Sequence, residues 1–103
     1  MATKKLRIER LVNQQIEASF DRSTNTLALT RKGKTIVTFN NEKVDSGALV
    51  GNLPDGQVVL PVRSEIYPGI SENLVRAHVV EFVGEPWSTW GGGTYRAARV
   101  LID

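Results

Sequence analysis

From residue 6 to residue 20 the apolar side chains fall on every second position. Leu6, Ile8, Val12, Ile16, Ala18 and Phe20 fill six of the eight even positions, and only Leu11 interrupts the polar series on the odd ones. A repeat of two sends alternate side chains to opposite faces, the pattern of a strand with one side in a core and the other in water. Ile8, Leu11, Val12 and Ile16 also fit one face of a helix. More residues obey the alternation, so the segment reads as one long or broken strand.

The rest of the chain also reads mostly as strands, in shorter runs. Residues 21–25, Asp-Arg-Ser-Thr-Asn, form a turn cluster. Residues 26–30 and 35–39 are rich in Thr, Leu, Ile, Val and Phe. They flank Arg31-Lys32-Gly33-Lys34, where glycine suits the positive φ of a four-residue hairpin loop. Residues 40–56 read as loop, with turn signals at Asp45-Ser46-Gly47, Gly51-Asn52 and Pro54-Asp55-Gly56. Residues 57–63 read as a strand in which Pro61, lacking an N–H, demands an edge or a bulge. Tyr67-Pro68-Gly69 marks another turn. Residues 74–83 carry four valines and a phenylalanine and read as a strand. The alternative is a helix capped by Ser71 and Glu72 and running through Leu74, Val75, His78 and Val79. Residues 85–93 read as a long turn holding both tryptophans, and residues 94–102 as a last strand with Ala98, Val100 and Ile102 on one face.

These runs amount to about six strands, spaced too closely for helical crossovers. The expected fold class is all-β, a small antiparallel sandwich or partly open barrel with room for one short helix. The 103 residues suit a single domain with a short basic arm over about residues 1–5. An immunoglobulin-like sandwich lacks support, because the chain has no cysteine pair. No apolar run approaches the roughly 18–20 residues of a membrane span, so no membrane partner is expected. Residues 1–10 are basic but have no apolar stretch behind them, which points to cytoplasmic synthesis without secretion.

Charge is unevenly distributed. Residues 1–34 carry eight basic side chains against three acidic ones, and residues 35–103 carry five against eight. A basic first third is either a solvated face or a footprint for phosphate or an acidic surface. Lys4, Lys5, Arg31, Lys32 and Lys34 are its candidate contacts, together with Arg7 and Arg10. Phe39 or Trp87 would supply stacking if the partner were a nucleic acid.

Signals for chemistry are sparse. The absence of cysteine removes disulfides, thiol catalysis and thiolate-ligated zinc. His78 is the only imidazole. As part of a strand it would share a face with Leu74, Val80 and Phe82, while Glu81 would point the other way, leaving it no orienting carboxylate. The acids Glu42, Asp45, Asp55, Glu65, Glu72, Glu81 and Glu85 are scattered singly. Gly91-Gly92-Gly93-Thr94 lacks the lysine and following helix of a phosphate-binding loop and reads as a hairpin tip. No catalytic, cofactor-binding or metal-ligating residue is assigned, and the chain is expected not to be an enzyme.

Trp87-Ser88-Thr89-Trp90 is the most informative local feature. Two indoles outside a strand either fold back over an open barrel end or stand exposed as binding anchors. Taken with the basic residues and the edge strand at Pro61, they point to a structural or interaction protein, an oligomer or a small subunit of a larger assembly. Its partner would be protein, either further copies or a scaffold. The alternative is a nucleic-acid-binding β-barrel module. Short, free of cysteine and β-rich, the chain is similar in type to small phage virion components such as capsid-decoration or head–tail completion proteins. That resemblance implies a virion location and an assembly role.

Overall fold

The computed structural model describes residues 3–6, 16–45, 48–64 and 68–102, the first four by their backbone. Residues 7–15 of the alternating run, and Tyr67 of the expected turn, lie outside the described residues. The described chain is predominantly β, with nine strands and one short helix in three antiparallel sheets. The count exceeds the expected six because residues 40–56, read as loop, supply two strands and the expected first strand is replaced by two.

The first sheet is a meander of β1 (Thr3–Leu6), β2 (Ile16–Asp21), β3 (Thr26–Arg31) and β4 (Lys34–Phe39), in that spatial order. Alternation holds across β2 and β3. Ile16, Ala18, Phe20, Leu27 and Leu29 are buried, while the residues between them reach solvent. The long-strand expectation is corrected: β1 and β2 are two antiparallel strands, with Leu6 opposite Ile16. Residues 3–5 of the expected basic arm therefore belong to the sheet.

The β3–β4 hairpin forms where expected, but its loop is two residues, not four. Arg31 pairs with Lys34, and Lys32 and Gly33 make the turn with φ of 51° and 79°. Two successive positive φ values are the signature of the primed turn that matches the right-handed twist of the strands. This tight turn keeps Arg31 and Lys34 in the ladder.

Residues 40–56, read as loop, contain a second hairpin, β5 (Glu42–Asp45) with β6 (Ala48–Asn52). Its ladder carries a bulge, since Lys43 faces Gly51 while Val44 faces Leu49. Asn41 closes the base, accepting from the Leu53 N–H and donating its side-chain amide to the Leu53 carbonyl.

The third sheet has the order β7 (Gln57–Pro61), β9 (Thr94–Val100), β8 (Val80–Ser88). Pro61 ends an edge strand, as its missing N–H requires. The edge is nonetheless closed. Val62 donates to Thr94, so alternation turns the polar groups of Pro61 and Val59 away from β9. There Val59 donates to the Asn40 carbonyl at 2.8 Å, and the Pro61 carbonyl accepts from the Ser71 hydroxyl.

The strand expected over residues 74–83 is corrected at its first half. Residues 70–76 form helix α1 (Ile70–Arg76), which turns Ile70, Ser71 and Leu74 inward. Its start is Gly69 at φ 75°, not Ser71. At its end Val79 donates to Leu74 and His78 to Val75, with His78 at φ 60°. This is the Schellman arrangement, with Leu74 and Val79 as its buried apolar pair. The valines that suggested a strand thus serve a helix stop and then β8.

One core joins the first sheet, the third sheet and α1. Ile16, Ala18, Phe20, Leu27 and Leu29 meet Val58, Leu60, Ile70, Leu74, Val79, Val80, Ala98 and Val100. At roughly 1.5–3 kcal/mol for each large side chain removed from water, these contacts supply the main driving force for the fold. The β2–β3 turn is tied to the β6–β7 turn through Asn25, which donates to Asp55 at 3.0 Å and accepts from the Gly56 N–H at 2.9 Å.

Candidate interaction surface

The two tryptophans have different environments. The turn expected over residues 85–93 is corrected: β8 continues to Ser88, so Trp87 is a strand residue opposite Tyr95. A break in the ladder between Val83 and Trp87, with Gly84 at φ 68°, makes this continuation feasible. The indole is half-buried. The Tyr95 ring lies 6.5 Å away by centroids, and the Lys43 ammonium sits over the indole at 4.4 Å from the ring centroid. Such a cation–π contact fastens β5 of the second hairpin to β8.

Trp90 is presented outward. Gly92 donates to the Thr89 carbonyl, so residues 89–92 form a turn with Trp90 at its first corner. Thr89 also bonds Gly93 through both backbone and hydroxyl. A side chain at Gly93 would strike the Tyr95 ring at 2.7 Å and force that ring to shift. The turn is held on both sides, and Trp90 is 93% exposed on it. The glycine triplet is the expected hairpin tip.

The β5–β6 hairpin carries further exposed apolar residues that the sequence reading did not single out. Val44, Leu49 and Val50 of the β5–β6 hairpin are 47%, 58% and 65% exposed. Val44 and Lys43 line a small cleft of about 120 Å³ with Glu42, Val59, Trp87 and Tyr95. On the other side of Tyr95, Val62 and Arg63 line a shallow groove with residues 91–94. Tyr95 is the common wall. The available signal was Val44-Asp45-Ser46-Gly47-Ala48-Leu49-Val50, apolar flanks around a Ser-Gly pair, which is a hairpin pattern.

The basic candidates gather elsewhere. Leu6, Ile16, Arg31 and Lys34 form one cross-strand row, so the end of β1 and the β3–β4 tip share one end of the first sheet. Lys32 and Lys34 are exposed and Arg31 is half-buried. Lys4 stands opposite Ala18 and Lys5 opposite Glu17; their side chains lie outside the described residues. Phe39 packs against the core and Trp87 is enclosed by Lys43 and Tyr95, so neither named aromatic stands beside the basic tip.

His78 is exposed in the turn after α1, not on a strand face with Leu74, Val80 and Phe82. Glu81 pairs across the ladder with Arg99 at 2.5 Å. Among the described residues, no three His, Asp or Glu side chains come together as a metal site. Among them, too, no helix is long and apolar enough to cross a membrane. Comparison with protein families, curated proteins and solved structures yields no significant match.

Proposed function

We propose that this chain is a non-enzymatic interaction protein, a small subunit that docks onto protein, either further copies of itself or a larger scaffold. The observation that carries this reading is the set of exposed apolar side chains Val44, Leu49, Val62 and Trp90, of which Val44 and Val62 line clefts that share Tyr95 as a wall. A two-stranded hairpin is marginal in water by itself, and outward-facing Leu49 and Val50 do nothing to hold it. Trp is the residue most enriched at binding hot spots, and a turn pinned by Thr89 presents it at little cost in ordering. His78 acting as a helix stop, and Glu81 and Asp55 engaged by Arg99 and Asn25, support a reading without catalysis. β-Richness and the lack of cysteine support a virion component of the capsid-decoration or head–tail completion type.

Native mass spectrometry and sedimentation over a wide concentration range test the reading, with Trp90→Ala and the pair Leu49→Asp, Val50→Asp alongside. The expected result is a higher-order species that weakens at least tenfold in each variant while the melting temperature stays within a few degrees. A chain monomeric at every concentration, whose variants also enter its native assembly unchanged, overturns it.

A further inference from the structure

The β3–β4 hairpin ends in concentrated positive charge that local folding does not favour. Register sets Arg31 directly opposite Lys34, with Lys32 in the turn between them. Like charges facing each other across a ladder repel. Lys32 also holds φ 51°, where Asn or Gly is the better residue. Among the described residues, none of the three cations forms a salt bridge with a carboxylate. The next pair inward is Thr30 opposite Thr35, so hydroxyls follow the charges. Asn-Gly flanked by opposite charges would make a more stable hairpin.

We infer that this tip binds the phosphate backbone of a nucleic acid, using Arg31, Lys32 and Lys34 with Thr35 beside them. A ligand with closely spaced negative charges relieves the Arg31–Lys34 repulsion. The residue types are those that contact phosphates, cations with hydroxyls. No apolar side chain lies between Thr30 and Thr35 to anchor a protein interface or enter a lipid surface. Cations and hydroxyls satisfy phosphate oxygens whatever the base sequence, so recognition is of charge and spacing. The site belongs to the first sheet, and the Tyr95 end belongs to the third sheet and the second hairpin, so this inference stands or falls apart from the assembly reading.

The test is fluorescence anisotropy of the full chain with a labelled duplex of about 20 base pairs and a matching single strand, at roughly 20–200 mM salt. The combined variant Arg31→Gln, Lys32→Asn, Lys34→Gln keeps a residue suited to positive φ in the turn. It is expected to weaken duplex binding at least tenfold at low salt. It should also flatten the log–log salt slope by about 2–3, as for the loss of three phosphate contacts. Arg31→Glu converts the repelling pair into an attracting one. It should raise the melting temperature and weaken binding together, a combination that a purely structural role would not produce. Unchanged affinity and slope in the combined variant overturn the inference. So does equal binding at matched salt to phosphatidylserine vesicles or polyglutamate, which would assign the tip to another class of partner.

Discussion

The Ser71 hydroxyl donates to the Pro61 carbonyl at 2.6 Å, joining the helix to the edge of the third sheet. Ser71 is 1% exposed, so the bond forms out of water. Replacing Ser71 with alanine leaves the carbonyl without that partner and should lower stability by about 1–3 kcal/mol. Urea unfolding measures it. A loss no larger than that of an exposed serine would mean that water takes the place of the hydroxyl.

Trp87 and Trp90 should behave oppositely on truncation. Trp87→Ala removes the ring between Lys43 and Tyr95 and should destabilise the isolated chain by about 2 kcal/mol or more. Trp90→Ala should change stability by less than about 0.5 kcal/mol, as at most exposed positions. Thermal melts of the two variants side by side decide it.

Positive φ gives a third pair of expectations. Gly33 at 79° has nothing within 4 Å of a built Cβ, so substitution there is opposed by backbone conformation alone. Gly33→Val should cost about 1 kcal/mol or more. His78 at 60° is the reverse case, a bulky residue where a helix stop favours glycine. His78→Gly should be neutral or stabilising by up to about 1 kcal/mol, since relief of the left-handed strain offsets the added freedom of the unfolded chain. A marked loss of stability in His78→Gly would assign the imidazole a contact of its own.

Asp21 gives the pH dependence. Hydrogen bonds from the Ser23 hydroxyl and then the Ser23 N–H hold its carboxyl below the ordinary value of 3.8. A group whose pKa is lowered by folding stabilises the fold when charged. That contribution is complete above the unfolded value and drains away as the pH falls through the folded one. Ser23→Ala should return Asp21 toward 3.8 and remove this part of the acid sensitivity, as read by NMR titration of the carboxyl carbon.

Strands whose sequence alternates or is rich in β-branched and apolar residues were legible from the residues alone. β2, β3, β4, β7 and β9 lie where Ile16, Leu29, Val37, Leu60 and Ala98 place them. What was hidden depended on contacts distant in sequence. Residues 74–83 are valine-rich, yet Leu74 and Val79 close a helix stop around His78, which no β-propensity registers. β8 reaches Trp87 because Tyr95 lies opposite it, and Glu85-Pro86 gave no hint of that. The basic residues and Trp90 were visible as chemical types. Their separation into two regions of the molecule was not, because strand pairing decides it.

The strand order β7-β9-β8 also dictates a sequence of events. The first sheet pairs only neighbours along the chain, and such local contacts form fast. During synthesis it can assemble while the later strands are still unmade. β7 must wait for β9, whose pairing partners run from Gln57 with Arg99 to Pro61 with Tyr95. The last-made strand is the central one, flanked by two strands that do not touch each other in the ladder. Truncation after Gly93 would therefore dismantle all three strands at once, and a stalled chain of that length would hold a folded meander beside an unfolded half.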